Sequence, residues 1–162
     1  MRRPRLLASL TAAVAVAFVV SACGTQTIGV PHSDPSYAQD SAAAHLFNER
    51  CGGCHTLSYA GTHGSGVNPT TFVTISGPSF NQRCERPAIR VLYAIENGGF
   101  SGTYMPQNIF VGKQAREIAN FVARFSGRGA PAEPGVTPCI HEPLHPLPLT
   151  GSLPELSGAS HG

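Results

Sequence analysis

Five residues constrain this chain more than any others: Cys51-Gly52-Gly53-Cys54-His55, two thiols three positions apart with an imidazole directly after the second. A Cys-x-x-Cys pair serves three chemistries: thiol–disulfide exchange, half of a zinc site, or covalent attachment of a c-type haem. Thioredoxin-like exchange places the pair at the start of a helix that follows a strand. Here a helical pattern precedes the pair and no strand pattern does. Zinc calls for a second ligand pair at matching spacing. The remaining downstream cysteines, Cys84 and Cys139, each stand alone.

The compartment helps to choose. Arg2, Arg3 and Arg5 open the chain, and residues 6–20 then run without a charge, "LLASLTAAVAVAFVV". A positive start followed by about 15 apolar residues reads as a secretory signal, because a spanning helix needs about 20. Residues 1–22 are therefore expected to be removed on export. "VSACG" follows at once and resembles the lipobox of bacterial lipoproteins, which implies that Cys23 is acylated and becomes the first residue. The formal charge of +2 is misleading. Three of the 11 Lys and Arg lie in the signal, and the 8 that remain face 9 Asp and Glu. A nearly neutral mature chain gives no support to nucleic-acid binding.

The mature chain divides into three parts. Residues 23–40 are polar, turn-rich and aperiodic, as expected of a lipid-anchored tether. Residues 128–162 carry many prolines, which exclude a long helix or a central strand. Between them, residues 41–127 show helical patterns. A first helix is expected from Ser41 as N-cap to Arg50, with Ala44, Phe47 and Cys51 on one face. A second begins with Pro87 at its first position, buries Ile89, Leu92 and Tyr93, and stops at Asn97-Gly98-Gly99. A third spans 113–125, with Ala115, Ile118, Phe121, Val122 and Phe125 at helical spacing. Strand signals between His55 and Arg83 are too sparse for a sheet, so the domain reads as all-α and loop-rich.

Three short helices without tryptophan make a thin core. One large apolar group at the centre would supply the missing contacts, and haem is such a group. Its attachment needs only the Cys51–His55 word: the thiols add across two vinyl groups and the next histidine coordinates the iron. Met1 leaves with the signal, so Met105, in the turn "GTYMPQ", is the one thioether left for the iron's other face. Its loop position favours it over His63, His45 and the tail histidines His141, His145 and His161.

These residues together resemble a class I monohaem cytochrome c of the bacterial lipoprotein type, over residues 41–127. Phe47 resembles the family's first-helix aromatic, which packs on the last helix. "GPSF" resembles the Gly-Pro segment, which makes the carbonyl of Pro78 the partner of His55's free ring N–H. "YMP" is similar to the methionine loop, and "EIANFVARF" to the final helix. The resemblance implies a small cytochrome c fold of about three main helices wrapped around one covalent haem c. Cys51 and Cys54 would hold the haem, and His55 and Met105 would be axial to the iron. With both axial positions filled the chain is not expected to be an enzyme. It is expected to carry one electron between a quinol-oxidising respiratory complex and a terminal oxidase, as shuttle or cytochrome subunit, on the outer face of the cytoplasmic membrane. The alternative is a haem sensor or peroxidase-like enzyme with a labile sixth ligand. Arg83, Arg86 and Arg90 form either a basic docking face or a solvated helix face. Cys84 and Cys139 are left over, as a disulfide or as two free thiols.

Replacing Cys23→Ser is expected to release the protein from the membrane fraction as a soluble species, which fractionation and N-terminal mass analysis measure. Retention in the membrane with residues 6–20 intact would make that apolar run the anchor.

Overall fold

A computed structural model describes residues 27–64, 77–100, 105–128, 139 and 144–153. The signal, Cys23 and the histidines His141 and His161 lie outside them. Three helices form the frame: α1 (Tyr37–Arg50), α2 (Ala88–Asn97) and α3 (Gly112–Phe125). Helix α3 packs against both of the others. None of the described helices is long and apolar enough to cross a membrane.

The expectation of an all-α fold is corrected. After α1 the chain makes a small antiparallel hairpin, β1 (Thr56–Leu57) and β2 (Thr62–His63), with Thr56 opposite His63 and Leu57 opposite Thr62. A single 3-10 turn, Ser58–Ala60, joins the two strands, and Gly61 leaves it with a left-handed φ of 65°. Two-residue strands are too short for alternation to show in sequence. A side chain completes the ladder: the Thr62 hydroxyl accepts the Leu57 amide at 2.9 Å and donates to the His55 carbonyl at 3.0 Å.

Helix α1 begins four residues before the expected Ser41. Asp34 sets the start, taking the Ser36 amide on Oδ1 at 2.9 Å and the Tyr37 amide on its backbone carbonyl at 2.9 Å. Arg124, near the end of α3, then reaches Asp34 at 3.2 Å and Asp40 at 3.1 Å. Burial raises the Asp40 pKa, with Arg124 opposing and Asp34 adding to the rise. The segment ahead of the helix also joins the body. Val30 is buried, and the Gly29 amide donates to the Tyr59 carbonyl at 3.0 Å.

Helix α2 starts one residue after Pro87, which is its N-cap, and ends where Gly98 adopts a φ of 79°. It buries Ala88, Val91, Leu92 and Ile95, spaced i, i+3, i+4 and i+7. Tyr93 therefore faces out, 52% exposed, where it stacks on Phe100. The expected stripe on α3 is fully buried, together with Ala119 and Ala123. Phe47 lies 6.3 Å from Phe121 and 6.0 Å from Phe80, and Phe121 lies 5.1 Å from Phe125. Each fully buried ring of this kind contributes roughly 1.5–3 kcal/mol.

Cys84 and Cys139 form a disulfide, with their Cα atoms 5.0 Å apart and a separation of 55 positions in sequence. Closing a loop of this length is worth about 4 kcal/mol in a chain-entropy account, less any strain. The bridge sits beside the end of α3, where Ser126 Oγ accepts the Glu85 amide at 3.0 Å.

Glu85 is buried and 2.8 Å from the half-exposed Arg83. Burial raises its pKa, and Arg83 and Arg90 only partly offset that rise. A raised folded-state pKa gives stability that is present below the unfolded value, about 4.3, and lost as pH rises through the folded value. Glu85→Gln imitates the protonated acid. Chemical denaturation at pH 4 and pH 7 should therefore show wild type losing ground to Glu85→Gln at the higher pH. The opposite trend would mean that the Arg83 pair outweighs burial.

Candidate functional site

The Cys51–His55 word follows the last turn of α1. Cys51 is the C-cap, its amide donating to the Phe47 carbonyl at 2.8 Å. The Cys51 carbonyl then accepts the amides of Cys54 at 3.1 Å and His55 at 2.9 Å, closing a tight turn. Neither Gly52 nor Gly53 takes a positive φ. The need at position 52 is room: a Cβ there would stand 2.7 Å from both the Asn48 carbonyl and the Thr62 methyl. Position 53 is open.

The turn separates the two thiols. Cys51 is buried and Cys54 is exposed. Burial pushes the Cys51 thiol up to about 12, with the neighbouring Cys54 adding to the rise.

His55 is held on three sides. Residues 77–80 run alongside residues 54–56, through the Gly77 amide on the Cys54 carbonyl at 3.0 Å and the Phe80 amide on the Thr56 carbonyl at 2.8 Å. These two bonds leave the Pro78 carbonyl facing the histidine ring, 3.1 Å from Nδ1. A carbonyl only accepts, so Nδ1 carries the proton and Nε2 keeps its lone pair. Phe80 stacks on the ring at 4.5 Å with 13° between planes. Gly77 completes the slot, since a Cβ at that position would come within 2.4 Å of the ring and does not fit. Burial lowers the His55 pKa, with the Arg83 charge assisting and the Pro78 bond opposing. The group so produced is a fixed, neutral imidazole whose Nε2 is unprotonated.

Met105 packs against the core at the end of α2, where its Sδ would lie 3.7 Å from a Cβ placed on Gly99. His63, on β2, is exposed, as are His45 on α1 and His145 beyond Cys139. The three arginines of the expected docking face have separate tasks. Arg86 donates to the carbonyls of Ala123 at 2.8 Å and Cys139 at 3.1 Å. Arg83 pairs with Glu85, and Arg90 lies over the Phe100 ring at 4.3 Å.

The expectation of a haem c cofactor is corrected. Among the described residues, no group of three or more His, Cys, Asp or Glu side chains could hold a metal ion. The physical reason is dispersal. Cys84 and Cys139 are used in the disulfide, Cys51 is buried while Cys54 is exposed, and the described histidines other than His55 lie out on the surface.

Thr62, Phe80 and Gly77 belong to the site, and sequence reasoning assigned none of them a contact with His55. The one available signal was the glycine before Pro78, since close approach is a recurrent reason for glycine. Comparison of the chain with protein-family models, with curated proteins and with solved structures found no match.

Thr62→Val keeps the shape but removes the hydroxyl, leaving the Leu57 amide and the His55 carbonyl without this partner. The expected cost is about 1–3 kcal/mol, read as a lower urea midpoint with an unchanged m-value. An effect within experimental error would show that water replaces the hydroxyl.

Proposed function

We propose that this protein is an exported, lipid-anchored electron carrier, and not an enzyme, on the strength of a Cys51–His55 word that resembles that of class I cytochromes c. It passes single electrons between a quinol-oxidising respiratory complex and a terminal oxidase, as a mobile shuttle or as a fixed subunit. One observation carries the reading: the Cys51–His55 word ends α1 with His55 locked against Pro78, Phe80 and Gly77. A group held this rigidly keeps its geometry when charge changes nearby, and rigidity is what a one-electron step asks of its surroundings. The apolar leader and Cys23 support export and anchoring, and lie outside the described residues. Two signals of anchoring, amide-linked and thioether-linked acyl chains, suffice for stable attachment. A short tether then confines the carrier near its membrane partners and raises its effective concentration there.

The test is electrochemical. Protein purified from the membranes of the exporting cell should give a reversible one-electron wave in film voltammetry. Cys51→Ser/Cys54→Ser should abolish it. Absence of any reversible wave in the wild-type protein overturns the proposal.

A further inference from the structure

The outer side of α3 is crossed by residues 144–153, a strap with no helix or strand of its own. Its centre is Leu147, 5% exposed and part of the main core. Asn120 of α3 binds the backbone of that same residue twice. Its Oδ1 accepts the Leu147 amide at 2.7 Å, and its Nδ2 donates to the Leu147 carbonyl at 2.9 Å. One turn earlier on α3, Arg116 Nη1 donates to the carbonyls of Pro148 and Gly151, both at 2.9 Å.

These contacts divide into two kinds. Asn120 and Arg116 read backbone, and the paired amide bond requires that the bound residue offer both its N–H and its C=O sideways, as extended chain does and helix does not. The socket under Leu147 reads one apolar side chain. Pro146 and Pro148 flank that leucine, both exposed, and fix φ so that the segment is extended before it docks. The combination of a pre-extended backbone and one buried anchor is how proline-containing peptides are recognised. It owes nothing to the electron-transfer reading.

We propose that Asn120, Arg116 and the Leu147 socket on α3 form a binding site for an extended Pro-Leu-Pro peptide, with the chain's own strap as its resident ligand. The root of the strap is fixed beside the site, because Cys139 is bonded to Cys84 and its carbonyl is held by Arg86. Tethered so closely, the strap outcompetes dilute peptide. A Pro-Leu-Pro segment from outside enters when the strap is disabled.

The full-length chain carrying Leu147→Ser provides that state. A fluorescent peptide with the sequence of residues 144–153 should bind it at or below about 1 mM, the effective concentration a short tether supplies. Adding Asn120→Ala should weaken that binding about tenfold or more, through loss of the paired amide bonds. A peptide in which serine replaces the central leucine should not bind. No binding by the wild-type peptide, or binding indifferent to Asn120, overturns the proposal. Should Leu147→Ser fail to fold, hydrogen exchange on the otherwise unaltered full chain decides. The Leu147 amide should be protected there and should lose protection about tenfold or more in Asn120→Ala. Equal exchange in the two proteins refutes the site.

Discussion

Helix α3 is covered on more sides than one apolar stripe allows, and the rest of the described structure follows from that coverage. Seven of its residues are buried, including the small Ala115, Ala119 and Ala123 that let neighbouring backbone come close. Phe121 meets Phe47 of α1, and α2 packs along another side. The strap takes a third side through Asn120 and Leu147. The end of the helix reaches the site as well, because the Gly127 amide donates to the carbonyl of Phe80, the residue stacked on His55. One hydrogen bond thus links the foot of α3 to the ring stacked on the imidazole.

The charged residues at this helix work mainly as backbone and carboxylate clamps. Arg116 holds the strap, Arg124 holds the start of α1, and Arg86 holds the last turn of α3 together with Cys139. Arginine suits such work because its planar fork offers several donors from one rigid group. Each clamp joins segments far apart in sequence. None could be read from a helical wheel.

What was legible in the sequence had a period or a fixed spacing. The stripes on α2 and α3 announced helices, and the leftover cysteines pointed to the Cys84–Cys139 bridge. The Cys51–His55 word and the Gly-Pro segment stood out as site residues before any geometry was known, and the structure brings them together. The early start of α1 comes from Asp34, whose bonds to Ser36 and Tyr37 lie in a stretch with no helical period, and the Arg124 clamp that joins it is 84 positions from Asp40. The hairpin was hidden because one threonine hydroxyl, and not an alternating pattern, completes it. Proline density in the tail was read as irregularity, which is true of its conformation and silent about Asn120. The cofactor expectation rests on the Cys51–His55 word, the thin core and the family resemblance, and none of these says which side chains the fold gathers to hold a metal.

The bridge between Cys84 and Cys139 also changes what a single broken peptide bond can do. It makes residues 84–139 a closed covalent ring that contains both α2 and α3. One protease cut anywhere in that ring leaves two fragments still joined through sulfur, with the strap attached to the remainder. Electrophoresis without reductant would show an intact mass, and the nick would appear only once thiol is added. Below residue 84 the chain has no such insurance, and a cut there relies on packing alone to keep the pieces together.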